Sequence, residues 1–223
     1  MSATAAPLDR VTLGPEAPSG ALIWLHGLGA DGHDFEPVVP ILGRPDLRVV
    51  LPHAQVRPVT VNRGWPCRSW YDIRHLEPGP DRESEADIRA SAKQVEALVR
   101  EQRDAGVPAD RIALVGFSQG GAMALHVALR WPERLAGVVA LSTYLVLPES
   151  LDAERAPASQ GMPGFFAHGS QDGVVPMDRG RAAFDRLDGW LEATWQTWPM
   201  GHAVHPGEID ALAAFLGRAL PAV

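Results

Sequence analysis

The amino-acid sequence predicts an α/β protein with a mostly parallel central sheet flanked by helices. The first observation is a set of short apolar runs, rich in β-branched residues, with the length of buried strands. These runs are residues 21–25, 48–51, 111–115, 135–141, 164–168 and 192–198. The second is a set of stretches with helical apolar spacing between and after them, at residues 83–103, 118–131, 177–187 and 208–220. Strands that alternate with helices are typical of a parallel sheet covered on both faces.

Length and composition predict one soluble globular domain over residues 1–223. The chain is 46% hydrophobic and 21% charged, within the ordinary range for such domains. Its net charge is −7, and no run of Lys or Arg could follow a phosphate backbone. We therefore expect no nucleic-acid partner.

The same sequence indicates a cytoplasmic protein. Its apolar runs are too short to cross a bilayer, and the first ten residues have neither the basic nor the apolar region of a secretory signal. The single cysteine, Cys67, cannot form an internal disulfide, which fits a reducing compartment.

Residues 57–80 interrupt the alternation of strands and helices, and we call them the excursion. This segment contains Pro58, Gly64, Trp65, Pro66, Trp70, Tyr71, Pro78 and Pro80. A long irregular segment in a compact domain is more often a lid or binding loop than a packed surface insertion. Its aromatic residues are also compatible with a homodimer face, and the sequence leaves lid and dimer face open.

The segment Gly-Phe-Ser-Gln-Gly at residues 116–120 stands between a predicted strand and a predicted helix. This is the G-x-S-x-G pattern of a nucleophile elbow. The serine of such a turn has a strained backbone, and the flanking positions lack side chains because strand and helix approach closely. The alternative, a glycine-rich turn that only links two elements, fits the context less well. We therefore predict Ser118 as a nucleophile.

A serine hydroxyl needs an adjacent base, which is itself oriented by an acid. On this type of fold the order along the chain is Ser, Asp or Glu, His. Asp172 follows the predicted strand 164–168 in a turn, at the strand end where functional groups collect. Asp178 fits the first turn of a helix and Asp152 lies in a polar loop, so Asp172 is the preferred acid.

Eight histidines compete for the role of base. His202 follows Gly201 in the loop between the last strand and the last helix, whereas His205 precedes a proline and fits a helix entry. The pair could bind a metal, but no third ligand stands at suitable spacing. His53 and His126 are predicted to be structural with satisfied hydrogen bonds, while the role of His168, near the site, is left open.

An oxyanion hole requires two N–H donors. The residue after the nucleophile, Gln119, supplies one, and the loop after an earlier strand supplies the other. That loop is His-Gly-Leu-Gly-Ala-Asp-Gly at residues 26–32, with Leu28 as the candidate. A phosphate-binding role for the loop is disfavoured, because its glycine spacing matches neither G-x-G-x-x-G nor a P-loop and no lysine follows it.

Together, these segments resemble the bacterial carboxylesterase and acyl-protein thioesterase/lysophospholipase family of small α/β hydrolases. The resemblance runs over nearly the whole chain, and its motifs are residues 26–32, 52–60, 70–73, 116–121, 168–176, 201–204 and 208–209.

The resemblance implies an α/β-hydrolase fold, a triad of Ser118, Asp172 and His202, and Leu28 and Gln119 as oxyanion donors. It also implies that three residues line an acyl pocket, namely Ile73, Tyr144 and Val174. At position 143 the family more often has a smaller residue, commonly Gly. We expect Thr143 to narrow or polarise the acyl site.

The predicted function is hydrolysis of short- to medium-chain carboxylic esters through an acyl-enzyme, without metal or organic cofactor. The substrate would be a small-molecule or lipid-like ester. The first alternative is an acyl-protein thioesterase or lysophospholipase. An alternative from another class is a non-catalytic binding module on a hydrolase fold.

Overall fold

The central feature is a seven-stranded sheet in the order β1-β3-β2-β6-β7-β8-β9. The computed structural model describes residues 7–75, 77, 79 and 81–222. The nine strands are β1 Arg10–Leu13, β2 Gly20–Leu25, β3 Leu47–Pro52, β4 Val56–Val59, β5 Trp65–Arg68, β6 Ile112–Phe117, β7 Gly137–Leu141, β8 Pro163–Gly169 and β9 Glu192–Trp198. Among the described strands of this sheet, only β1 runs antiparallel. The predicted mostly parallel sheet is therefore confirmed.

Helices cover both faces of this sheet. They are α1 Glu85–Asp104, α2 Gln119–Arg130, α3 Leu151–Glu154, α4 Met177–Leu187 and α5 Pro206–Ala219. In β2, Ile23 and Leu25 belong to the core cluster that contains the buried faces of α1, α2 and α4, whereas Leu22 and Trp24 belong to the cluster of α5. A strand buried on both faces explains why β2 reads as a continuous apolar run.

All six predicted strands and four predicted helices are present, with ends that differ by a few residues. Helix α1 begins after Ser84, whose hydroxyl accepts a hydrogen bond from the Asp87 N–H, and not at residue 83. The prediction missed the edge strand β1, the short α3 and a 3₁₀ helix over Gly32–Leu42 that contains two prolines.

The described part of the excursion is more regular than its sequence indicates. Strands β4 and β5 pair as an antiparallel hairpin, and Trp70 and Tyr71 beyond it are fully buried. Trp65, in contrast, is 74% exposed. Pro78 and Pro80 lie outside the described residues. The homodimer face stays a prediction. Of Trp65, Trp70 and Tyr71, only Trp65 is exposed and could contribute to such a face.

Within the described part of the chain, no helix is both long and apolar enough to cross a membrane.

Candidate active site

Ser118 lies at the sharp turn between β6 and α2. Its backbone has φ 54° and ψ −122°, a left-handed φ that costs free energy for a residue with a side chain. A Cβ at Gly116 would come 2.3 Å from the Gly120 carbonyl oxygen, and one at Gly120 would come 2.2 Å from that of Leu25. Both glycines are therefore sterically required, as predicted for an elbow. The Ser118 N–H donates to the Leu141 carbonyl at 2.8 Å, which ties the turn to the end of β7.

The His202 imidazole lies between the serine and a carboxylate. Its Nε2 is 2.9 Å from Ser118 Oγ, and its Nδ1 is 2.7 Å from Asp172 Oδ2. Because a carboxylate only accepts, Nδ1 carries the proton and Nε2 is free to accept from the serine hydroxyl. The Phe117 ring packs against the imidazole with centroids 4.8 Å apart. The structure thus brings all three predicted triad residues together in one hydrogen-bonded chain.

The Asp172 carboxylate is held in place by its own loop. Its side chain is fully buried, and Oδ1 accepts hydrogen bonds from the N–H groups of Val174 and Val175, each at 2.9 Å. Of its two rivals, Asp178 lies in the first turn of α4, and Asp152 pairs with Arg186 at 2.5 Å. Among the described residues, neither forms a hydrogen bond or ion pair with His202.

His205 has a different position from His202 despite the short separation in sequence. It is the N-cap of α5, where its Nδ1 accepts from the Gly207 N–H at 3.0 Å and its own N–H donates to Glu208 Oε2 at 3.1 Å. The predicted helix-entry role is confirmed. Among the described residues no group of three or more His, Cys, Asp or Glu side chains could hold a metal ion.

Among the described residues, no histidine other than His202 is hydrogen-bonded to the Ser118 side chain. His53 accepts from the Gly32 N–H at 2.9 Å, as expected of a structural histidine. His126 is buried, but its Nδ1 has no partner among the described residues, so the prediction of a satisfied side chain was wrong there. His168 is buried beside Trp195 and bonds the Val175 carbonyl through Nε2 at 2.8 Å, which supports the loop that carries Asp172. Burial lowers the pKa of His168.

Two residues in the cavity wall beside Ser118 have backbone N–H groups without a backbone partner among the described residues. Gln119 is the first residue of α2, and the N–H groups of a first helical turn have no partner within the helix. Leu28 follows β2, and its N–H has no backbone partner among the described residues. Both residues line the cavity beside Ser118 and His202, where an oxyanion would form.

The loop that contains Leu28 is organised by His26. The His26 Nε2 accepts from the Ala54 N–H at 3.0 Å, so Nδ1 carries the proton and donates to the Gly27 carbonyl at 2.7 Å. Burial lowers the pKa of His26 to about 4, which keeps the ring neutral and this tautomer fixed near pH 7.

The excursion is attached to the elbow through the Gln119 side chain. Gln119 Oε1 accepts from the Trp70 N–H at 2.8 Å, and Nε2 donates to the Tyr71 carbonyl at 2.7 Å. The Trp70 indole N–H donates to the His26 carbonyl at 2.9 Å. These bonds make the base of the excursion part of the site framework.

A cavity of about 390 Å³ opens beside Ser118. The three residues that the resemblance placed at an acyl pocket, Ile73, Tyr144 and Val174, all line it. The wall also contains residues that the sequence does not predict, namely Asp34, Val61, Asn62, Arg82, Phe117 and Val175. Phe117 precedes the nucleophile and could have been inferred from that position. The others reach the cavity through tertiary packing, for which the sequence holds no local signal.

Two residues of the wall, Tyr144 and Arg82, belong to a polar, cationic cluster that extends beyond the cavity. The hydroxyls of Tyr144 and Tyr71 are 2.9 Å apart, and the guanidinium of Arg179 stacks 4.0 Å from the Tyr144 ring centroid. Arg82 pairs with Glu83 and lies 5.0 Å from the same centroid. Burial raises the pKa of Tyr144, which stays neutral.

Thr143 does not face this cavity. It is buried, is absent from the described residues of the cavity wall, and its hydroxyl donates to the Ser118 carbonyl at 2.6 Å. The expectation that it narrows or polarises the acyl site is therefore wrong, because its side chain points at the elbow backbone.

This sheet, elbow and hydrogen-bonded chain define the class of serine hydrolases with the α/β-hydrolase fold. Solved structures agree: acyl-protein thioesterase 2 of Zea mays superposes with a TM-score of 0.83 at 27% identity, over 95% of this chain and 99% of that one. Esterase PE8 gives 0.82 at 28% identity, over 96% and 100%.

The sequence comparisons are more specific. The profile of the phospholipase/carboxylesterase family matches residues 8–220. Acyl-protein thioesterase 1 of Mycosarcoma maydis is 38% identical over 92% of this chain and 93% of its own length, and that of Gibberella zeae is 34% identical over 91% and 92%. The chain belongs to the phospholipase/carboxylesterase family and is a hydrolase.

Proposed function

We propose that this enzyme hydrolyses esters of short- to medium-chain carboxylic acids, with Ser118 as nucleophile, His202 as base and Asp172 as acid. The observation that carries the proposal is the chain Ser118 Oγ–His202–Asp172, with links of 2.9 and 2.7 Å, at the wall of a cavity of about 390 Å³. The serine and both ring nitrogens have the orientation that two-step acyl transfer needs.

In the first step Ser118 Oγ attacks the ester carbonyl carbon while His202 Nε2 accepts the hydroxyl proton. Asp172 stabilises the imidazolium that forms and keeps the ring oriented. The tetrahedral intermediate collapses as His202 returns the proton to the leaving alcohol, leaving an acyl-serine. Water then attacks this ester with His202 again as base, and the carboxylic acid leaves as the bond to Ser118 Oγ breaks and His202 returns the proton to that oxygen.

The N–H groups of Leu28 and Gln119 are the proposed donors to the oxyanion. One such donor in a protease contributes about 3–4 kcal/mol to transition-state stabilisation. Both belong to backbone segments with fixed geometry, the His26-bonded loop and the first turn of α2. The donors therefore need little reorganisation during the reaction.

The composition of the cavity supports a short or medium acyl chain. Val61, Ile73 and Val174 supply apolar wall, but Arg82 and Tyr144 also line it. Both polar side chains are buried and already paired within the protein, so they offer a long alkyl chain less apolar contact than the three aliphatic residues do. This composition favours chains that end before the polar part of the wall.

A second candidate is removal of long acyl groups from protein thioesters, favoured by the names of the fungal relatives and the Zea mays structure. Val174 is 64% exposed at the cavity rim, so a protein-linked acyl group could approach from that side.

The test is kcat/KM for p-nitrophenyl acetate, butyrate, octanoate and palmitate, and for a palmitoyl-thioester peptide. The proposal predicts a maximum at butyrate or octanoate. A steep preference for the palmitoyl thioester would favour the second candidate.

Ser118→Ala is expected to lower turnover of the best ester by about 10⁴-fold or more. The matched control, Ser170→Ala, removes an exposed hydroxyl near Asp172 and should keep full activity. Labelling by a fluorophosphonate should occur in the control and not in Ser118→Ala. Undiminished turnover by Ser118→Ala would refute the mechanism, and absence of labelling in the wild type would favour a non-catalytic binding module.

A further inference from the structure

The peptide unit between Ser118 and Gln119 has a hydrogen-bond partner at its carbonyl end. Thr143 Oγ1 donates to the Ser118 carbonyl at 2.6 Å, and the Ala122 N–H donates to the same oxygen at 3.1 Å. The N–H of this same peptide unit belongs to Gln119, one of the two proposed oxyanion donors. The carbonyl and the N–H of a trans peptide point in opposite directions in one plane. Thr143 and the oxyanion would thus lie at opposite ends of one peptide.

We propose that Thr143 is a positioning residue that strengthens the oxyanion hole from behind, by fixing and polarising the Ser118–Gln119 peptide. The inference rests on the proposed function, since it assigns a task to Thr143 only if the Gln119 N–H binds an oxyanion. A donor at the carbonyl draws electron density toward oxygen and makes the N–H a better donor, because hydrogen bonds in series strengthen one another in a low-dielectric site. It also fixes the plane of the peptide before the substrate arrives.

The position of Thr143 suits this task. Residues 141–143, at and just after the end of β7, contact the elbow twice, through the Leu141 carbonyl on the Ser118 N–H and through the Thr143 hydroxyl on the Ser118 carbonyl. Thr143 Cβ and Cγ2 lie against Gly121, where any added Cβ would be 2.8 Å away. The hydroxyl therefore has one well-defined direction.

The second proposed donor has the same arrangement. The Leu28 N–H belongs to the Gly27–Leu28 peptide, and the carbonyl of that peptide accepts from His26 Nδ1 at 2.7 Å. Two unrelated side chains, a threonine and a neutral histidine, thus donate to the carbonyl oxygens of the two peptides whose N–H groups are the proposed oxyanion donors. This repetition supports a functional role for the bond of Thr143 beyond simple packing.

Two matched pairs isolate the hydroxyl in the test. Thr143→Val keeps the shape of threonine and removes the donor, while Thr143→Ser and Thr143→Ala both lack the methyl group and differ in the donor. We expect kcat on the best ester to fall roughly 3- to 30-fold in the Val and Ala variants, less than the loss for deleting a whole oxyanion donor. The KM should stay within about twofold, and Thr143→Ser should keep most of kcat.

Two binding readouts separate an effect on the oxyanion from a structural one. The inhibition constant of a trifluoromethyl ketone, which forms an oxyanion on Ser118, should rise in the Val and Ala variants by the same factor as kcat falls. The affinity for the corresponding uncharged primary alcohol, which presents no anionic oxygen to the N–H donors, should not change. The rate of fluorophosphonate labelling, which needs no correct guess of the ester, should fall in parallel.

Wild-type kcat in Thr143→Val, or equal losses in the Ser and Ala variants, would overturn the inference while leaving the proposed function intact. If Thr143→Val does not fold, the Ser and Ala pair decides. Failure of the wild type to label or turn over any ester would instead refute the proposed function, and the assignment of Thr143 with it.

Discussion

At the scale of single residues, His202 and His205 illustrate how backbone context separates two identical side chains. His202 lies between Ser118 and Asp172, whereas His205 caps α5. The difference follows from the local chain: Gly201 precedes His202, and Pro206 after His205 occupies the first position of the helix. The two residues can therefore serve as each other's control.

We expect His202→Ala to lower kcat by about 10⁴-fold or more with little change in stability, because the base is lost from the half-buried site. His205→Ala should keep kcat within a few-fold and lower the free energy of unfolding by about 1 kcal/mol, the usual cost of a lost helix cap. Ester turnover and urea unfolding of both variants check this. Loss of activity in His205→Ala alone would identify His205 as the base.

At the scale of secondary-structure elements, the N-terminus of α5 contains a buried carboxyl group. Glu208 is fully buried, one of its oxygens accepts from the His205 N–H, and Oε1 has no partner among the described residues. Burial raises the pKa of Glu208 to about 7. The folded protein therefore holds a proton on Glu208 over a pH range where the unfolded chain has released it.

Because this pKa is raised, the stability that Glu208 contributes is complete below about pH 4.5 and is lost as pH rises through 7. Glu208→Gln keeps an acceptor for the cap and cannot ionise. We expect it to be more stable than the wild type at pH 8.5, by on the order of 2 kcal/mol, and about equal to it at pH 5. Urea unfolding at both pH values measures this. The exposed Glu77→Gln is the control, and an equal gain at both pH values would contradict the assignment.

The elements that the sequence predicted are those with a strong apolar signal. β2, β6, β7 and β8 are buried on both faces, so each reads as a short apolar run. The edge strand β1 and the hairpin strands β4 and β5 are four residues long and largely polar or partly exposed. Their pairing depends on contacts across the chain, which local patterning does not encode.

Dependence on contacts between distant parts of the chain also limits how much of the site the sequence can predict. Ser118 and its glycines lie in one continuous turn, so steric requirements are visible in the sequence. Arg82 and Val61 enter the cavity wall from distant segments, and nothing near them indicates it. Thr143 departs from the pattern of the family in sequence, but only the fold shows which way its hydroxyl points.

At the scale of the whole molecule, buried neutral histidines set the response to acid. Burial lowers the pKa of His26 to about 4 and that of His126 to about 3, and it lowers that of His168 as well. Unfolding exposes these rings, whose pKa then returns to 6.5. Below pH 6.5 the unfolded chain therefore binds more protons at these sites than the folded protein does.

The free energy of unfolding consequently decreases as the pH is lowered from about 6.5 to 4, since protons favour the state that binds more of them. On unfolding in this pH range, His26 and His126 together take up about two protons, and Glu208 releases about one. His168 takes up protons as the other two histidines do. The net difference of at least about one proton corresponds to on the order of 1–2 kcal/mol per pH unit. We expect the urea midpoint to fall steadily from pH 6.5 to 5, with His126→Gln reducing this slope by roughly 1 kcal/mol per unit. The exposed His75→Gln should leave it unchanged, so equal slopes in the two variants would rule out the buried imidazole of His126 as a source of acid sensitivity.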